Sequence, residues 1–279
     1  MKLVDQSVKV WGECPTDIFE AKLWIERAGR TCYNSPMPEI PDPDKFLDRV
    51  MSHDPPHSSM FEHSNVLFGF KDYVETRNFR EDHGYDSRWI YLDDSGDEAI
   101  YGNYRAFMEA TGADSIDEMF SKAKTDGLFP VNRSFFSRHH RRVTVELHTD
   151  RNILAEITRH RDDVAFSVRS QRYVDENGLM EFIKPSWYDQ ADFIQQETFR
   201  HSCEQAELNY RTLRKALPPQ HARVALTGQV KTVIVMTAYL PEWDWIFKLR
   251  RAPGAYPQMI NLMNMVYDQF VEMGYVEGN

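Results

Sequence analysis

Residues 159 to 173, RHRDDVAFSVRSQRY, crowd Arg159, Arg161, Arg169 and Arg172 together with His160, Ser167 and Ser170. A guanidinium stays charged at every physiological pH, and its planar fork matches pairs of phosphate oxygens, which an ammonium does not do. The serine hydroxyls add small donors. A set of this kind is suited to holding an anion. An RHR triplet alone is equally compatible with a solvated basic face at a helix end, where exposed charges contribute little. The flanks argue against that. Ile153 and Ile157 stand one helical turn apart upstream, and Ala165, Phe166 and Val168 follow, so the charges are embedded in core-forming sequence and need partners.

The rest of the composition narrows the anion. The net charge of −10 excludes a general polyanion binder, because nucleic-acid affinity comes mainly from phosphate neutralisation. Basic residues concentrate at 138–142, RHHRR, and at 159–172, which suits a small phosphorylated ligand and no stable nucleic-acid partner. No window approaches the roughly 18 apolar residues of a membrane span. The N-terminal residues carry no apolar signal core, and Cys14, Cys32 and Cys203 are odd in number with no CxxC pair; a cytoplasmic, reduced setting is expected, without a thiolate metal site.

A second candidate group is HSSMFEHSNVLFGF, residues 57 to 70. Val66, Phe68 and Phe70 alternate, predicting a strand with one half-buried face. His57, Ser59, Glu62 and His63 precede it, where loop side chains point into sites. Two histidines and a glutamate are weak metal ligands without a third strong ligand, so no metal is assigned.

Several elements must position these groups. Ile18, Ala21, Ile25 and Ala28 share a helical face behind the start signals Thr16 and Asp17. Residues 44 to 53 repeat the helical spacing after a proline-rich break. Val143, Val145 and Leu147 predict a strand, then a turn capped by Thr149 or Asp150 and a helix that delivers Arg159 to Arg161 at its C-terminus, where its dipole favours cations. Residues 71 to 142 are too long for a bare connection and must carry elements of their own, including a helix at 115–123. The histidines at 139 and 140 read as a solvated strand edge. A long helix spans about 190 to 216, with Cys203, Ala206, Tyr210, Leu213 and Leu217 as a core face or subunit seam. QVKTVIVMTAYL is ambiguous between strand and buried helix. A last helix carries Met259, Leu262, Met263, Val266 and Phe270 as core residues. No GxGxxG, GxxxxGK[ST] or GxSxG motif occurs, so any bound dinucleotide is cradled by arginines rather than by a glycine loop.

The succession RHR, AFS, SQRY resembles the signature of the flavin-dependent thymidylate synthases. HSSMFEH resembles their second signature, and VTVELHTDR, ARVAL, KTVIVMTAYLPEW, FKLR and AYPQM extend the likeness over most of the chain. The stretch 71–142 is similar to the insertion of the longer members. The resemblance implies an α+β fold with a mixed β-sheet and long helices in a single domain, residues 1–279, assembled as a homotetramer. Carried over by position, His57, Ser59, Glu62, Arg159, His160 and Arg161 would contact FAD. Glu156, Ser170, Arg172, Arg223 and Arg250 would hold a pyrimidine deoxynucleoside monophosphate, with Ser170, Arg172 and Arg250 nearest the chemistry. The implied reaction moves a one-carbon unit from methylenetetrahydrofolate to C5 of dUMP, giving dTMP, with NADPH as reductant.

The likeness has gaps. Asp162 and Asp163 make the run from RHR to Ser170 one residue longer than usual, and Val168 and Arg169 replace a polar or acidic pair. Tyr239-Leu240-Pro241 stands where an asparagine and an arginine are expected, and Tyr239 is a candidate to stack on the flavin or adenine ring. These changes, at 162–169 and 239–245, motivate one alternative, a dCMP or dUMP hydroxymethylase on the same scaffold; the basic stretch itself leaves open a second, a non-catalytic nucleotide- or RNA-binding protein.

Overall fold

The computed structural model describes residues 1–70, 76–93, 99–178 and 180–277. Two short strands, Lys2–Val4 (β1) and Ser7–Glu13 (β2), lead to the first helix, Ile18–Tyr33 (α1). Asp17 caps it by accepting from the Glu20 amide, and Asn34, in the left-handed region at φ 51°, ends it. Pro43–Met51 (α2) starts behind the Asp42 cap. A 3-10 turn, Ser58–His63, then enters Asn65–Phe70 (β3).

The expectation that residues 71–142 carry elements of their own holds for the described part; residues 71–75 and 94–98 lie outside it. It contains Thr76–Asp82 (α3), Ile90–Leu92 (β4), Ala99–Asn103 (β5), Tyr104–Thr111 (α4), Ile116–Thr125 (α5) and Leu128–Pro130 (β6). Strands β4, β5, β3 and β6 form an antiparallel sheet in that order. Strand β3 therefore lies between β5 and β6, and Val66, Leu67 and Phe68 are all buried. The expected half-buried face is thus a strand buried on both sides, because helices and loops of the insertion cover what an ordinary hairpin would leave wet.

The predicted strand at 143–147 is Arg142–Asp150 (β7). Asp150 caps the helix that follows, Arg151–Ile157 (α6), by accepting from the Ile153 amide. After Ala165–Val168 (β8) and Glu181–Ile183 (β9) come the long helix Phe193–Arg214 (α7) and the short Pro219–Ala222 (α8). The ambiguous apolar run is a strand, Lys231–Tyr239 (β10). It pairs with β7 along its whole length, from Lys231 opposite Asp150 to Tyr239 opposite Arg142, and with β8 on its other edge. Its threonines, valines and isoleucine suit a central strand, and Pro241, unable to donate in a ladder, sits in the first turn of Leu240–Arg250 (α9). Pro257–Glu272 (α10) closes the fold, with Met259, Leu262, Met263, Val266 and Phe270 buried as expected.

The α+β class therefore holds, with the strands divided among sheets β2-β7-β10-β8 and β4-β5-β3-β6, both antiparallel, and a parallel β1-β9 pair. One apolar core lies between the β7-β10 face and α6, α9 and α10; a second lies under the inserted sheet between α1, α2, α4 and α5. A buried polar seam separates them. His63 is wholly buried, its Nδ1 2.8 Å from Thr237 Oγ1 and its Nε2 3.0 Å from Ser167 Oγ; Thr144 Oγ1 lies 2.7 Å from Thr237 Oγ1 and accepts from Trp24 Nε1.

Candidate functional site

Helix α6 ends at Ile157, so Arg159 to Arg161 do lie just past a helix C-terminus. Their side chains diverge. Arg159 and Arg161 are exposed, whereas His160 is buried. His160 Nε2 accepts from Arg250 Nε at 2.9 Å, which fixes the proton on Nδ1, 3.6 Å from the Glu242 carboxylate. Arg250, in the last turn of α9, also donates to the Glu156 carbonyl at 2.8 Å and lies 3.4 Å from its carboxylate. Three of the expected residues, Glu156, His160 and Arg250, are thereby locked together across α6 and α9.

Glu62 and Arg161 meet elsewhere. They line a cavity of about 130 Å³ with Trp89, Asn103, Arg105, Glu109 and Asp163. Arg105 NH1 donates to Glu62 at 2.7 Å, yet burial outweighs that pull and holds the Glu62 carboxyl above its ordinary pKa.

A third group surrounds the end of α1. The Ser170 amide donates to the Cys32 carbonyl at 3.0 Å, and its hydroxyl accepts from the Arg172 amide at 3.1 Å. Tyr33 links this loop to His57, its hydroxyl 2.8 Å from His57 Nδ1 and its ring 5.9 Å from Tyr173, over which the Arg172 guanidinium lies at 5.3 Å. Ser59 is exposed beside His57, and Arg223 is exposed on the 3-10 turn Arg223–Ala225. The expected residues thus occupy three groups, with Arg159 and Arg223 on the surface between elements.

A match to the family model "Thymidylate synthase complementing protein" covers residues 133–273, just over half the chain. The protein belongs to this family, the flavin-dependent thymidylate synthases. No curated protein matches the chain. The matched span contains Glu156, the RHR triplet, Ser170, Arg172, Arg223 and Arg250, whereas His57, Ser59 and Glu62 precede it. Family membership implies a flavin cofactor and a nucleotide substrate. Among the described residues the side chains of Arg159 and Arg161 have no hydrogen bond or ion pair with protein groups, so their forks are free for the phosphate oxygens of a flavin cofactor.

Four sequence readings change. His63 does not face a site; it is the centre of the buried seam. Ser167 is not an anion donor but the partner of His63. His140 is buried, within 3.2 Å of Asp93 and edge-on to Tyr101 at 4.7 Å, because the turn Arg138–His140 folds under the inserted sheet; His139 alone is exposed. Tyr239 is not placed to stack on a ring. It is 7% exposed, edge-on to Tyr101 and Tyr91 at 5.6 and 6.2 Å, with Arg142 over it at 4.9 Å.

The residues that sequence reasoning missed lie in the same place. Arg142 is fully buried, donates to the Asp163 carbonyl at 2.9 Å, and pairs with its carboxylate at 3.4 Å. Asn103 of the inserted sheet donates to that carboxylate at 3.0 Å. Asp163 adopts φ 48°, a left-handed conformation that aspartate tolerates better than most residues. The signal was the extra residue between RHR and Ser170; its partner Arg142 was visible only as the last member of the basic run 138–142, with nothing to set it apart from its neighbours.

Proposed function

We propose that this chain transfers a one-carbon unit to C5 of dUMP to yield dTMP, as a flavin-dependent thymidylate synthase using FAD, methylenetetrahydrofolate and NADPH. FAD, when bound, would supply the hydride chemistry, and the folate the carbon. The chain's part is to bind, orient and stabilise. Arg159 and Arg161, with His57, Ser59 and Glu62, are assigned to FAD; His160 acts by fixing Arg250. Glu156, Ser170, Arg172, Arg223 and Arg250 are assigned to the nucleotide.

The observation that carries this reading is the interlock of Arg250 with His160 and Glu156. An arginine whose fork is held on two sides is pre-oriented, and pre-oriented charged donors stabilise negative charge developing on pyrimidine oxygens more effectively than mobile ones. Ser170 is an orienting hydroxyl and not a nucleophile, because among the described residues no base is hydrogen-bonded to its oxygen; its partner is an amide. A homotetramer with sites shared between subunits would unite groups that stand apart on one chain. Among the described residues no helix is long and apolar enough to cross a membrane.

The hydroxymethylase reading drew on Asp162–Arg169 and Tyr239. Asp163 and Tyr239 both pack on Arg142, which accounts for those two changes without a new substrate and favours methylation. Incubating purified protein with FAD, NADPH, methylenetetrahydrofolate and dUMP or dCMP, then weighing the nucleotide, tests the reading: a gain of CH2 on dUMP supports it. A gain of CH2O on either nucleotide supports the hydroxymethylase, and colourless protein that takes up no FAD refutes both.

A further inference from the structure

Three segments meet beside the expected nucleotide residues. The Arg151 amide, at the start of α6, donates to the Gly228 carbonyl at 2.9 Å, tying α6 to the loop that follows the Arg223–Ala225 turn. The Arg151 side chain donates to the Arg169 carbonyl at 2.9 Å, and the Arg169 amide extends the β8–β10 pairing by donating to Val233 at 2.9 Å. Arg169 in turn pairs with Glu176 at 2.8 Å. Burial lowers the pKa of Arg151, and Arg223 and Arg169 add to that effect against the pull of Glu176. Arg169 and Arg151 therefore draw on one largely buried carboxylate, Glu176, with Arg223 near enough to repel Arg151, in a protein whose net charge is −10.

Such a cluster is under-neutralised. Arg151 Nε, Arg169 Nε and Thr227 Oγ1 are also buried without hydrogen-bond partners. Buried donors are ordinarily satisfied, and like charges held together out of water are unfavourable unless an anion joins them. Ser170 and Arg172 follow Arg169 directly in the chain, so an anion here would be continuous with the nucleotide site.

We propose that Arg151 and Arg169 join Arg223 in an anion subsite that takes the 5′-phosphate of the mononucleotide, a dianionic phosphate monoester. Neither Arg151 nor Arg169 is assigned a role by the family likeness, and Arg169 is one of this chain's departures from it. Glu176 keeps the Arg169 fork in place, and Arg151 braces the loop that carries Arg169. The inference rests on the nucleotide reading above and adds the residues that read substrate charge.

Calorimetric titration of the flavin-loaded protein with dUMP and with 2′-deoxyuridine, which lacks the phosphate, tests it. Arg169→Gln and Arg151→Gln should each weaken dUMP roughly tenfold or more, as loss of a charge-assisted bond requires, and move deoxyuridine less than about twofold. If Glu176 left without its partner prevents folding, the double variant Arg169→Gln/Glu176→Gln carries the same expectation. Equal weakening of both ligands, or unchanged dUMP affinity, overturns the subsite while leaving the nucleotide reading intact. Wild-type protein that binds dUMP no tighter than deoxyuridine overturns both.

Discussion

Asp163→Ala strands the Arg142 guanidinium. Its side chain has no solvent access, and among the described residues Asp163 supplies the one carboxylate within ion-pair distance, 3.4 Å away, with a lesser pull from Glu62. What remains after the change is the residue 163 carbonyl at 2.9 Å, the Thr237 carbonyl at 3.3 Å and the Tyr239 ring at 4.9 Å, and Nε and NH1 already lack partners. Breaking a buried ion pair from one side costs about 3 to 5 kcal/mol. The backbone bonds argue for the lower end; alanine at φ 48° adds roughly 1 kcal/mol of strain. A loss of about 4 kcal/mol corresponds to a melting point lower by about 8 to 16 °C for a chain of this size. Urea denaturation followed by tryptophan fluorescence gives the free energy directly. Asp163→Asn, which suits the left-handed backbone and preserves a partner for Asn103, isolates the charge and should cost less. Replacing the arginine as well, in Asp163→Ala/Arg142→Met, should recover part of the loss, since an apolar side chain needs no counterion. If Asp163→Ala stays within 1 kcal/mol of wild type, or the double variant is the less stable, the guanidinium is not held by that carboxylate and the account of the extra loop residue fails.

Burial, with Arg142 adding, pushes His63 down to about 3 from an ordinary 6.5. The unfolded chain then binds a proton that the native state refuses, so this contribution is complete above about pH 6.5 and is lost as pH falls toward 3, at up to roughly 1.4 kcal/mol per pH unit. Stability curves between pH 4 and 7 should show that slope for the wild type and a flatter one for His63→Gln. Arg250→Lys keeps the charge but cannot satisfy the His160 nitrogen and the Glu156 carbonyl together; kcat/KM should fall about a hundredfold or more with flavin content unchanged, a split that loss of fold would not produce. Glu62→Gln should leave Arg105 with a weaker acceptor and reduce FAD retention on gel filtration while dUMP affinity holds; unaltered flavin content would remove Glu62 from the cofactor group.

What could be read from the sequence follows from which interactions are local. Asp17 and Asp150 were visible as helix starts because a cap acts on amides two or three residues away. The helical faces of α1 and α10 were visible because one periodicity carries the whole signal. The run 231–239 stayed ambiguous because a central strand is apolar on both faces and loses its alternation; only its neighbours β7 and β8, far away in the chain, make it a strand. Histidines resisted for a related reason. His57, His63, His139 and His140 look alike in sequence, yet one meets a tyrosine at a loop, one is sealed among Thr237 and Ser167, one faces solvent and one is tucked beneath the inserted sheet.

The same logic explains why departures from a family pattern misled as to their meaning. Asp163 and Tyr239 were noticed for where they stand relative to RHR and the Glu-Trp pair, which drew attention to the ligand. Their contacts face the other way, to Arg142 and through Asn103 to the inserted sheet, so the two changes share one buried partner. A loop lengthened by one residue gives the backbone room for a left-handed turn; that turn aims a carboxylate at a buried arginine, and the tyrosine ring covers the arginine's face. Arg169 is the departure that such packing does not absorb. Its carboxylate partner is also drawn on by Arg151, and it directly precedes the serine assigned to the nucleotide, so among the altered positions it is the one where a change in sequence bears on what is bound.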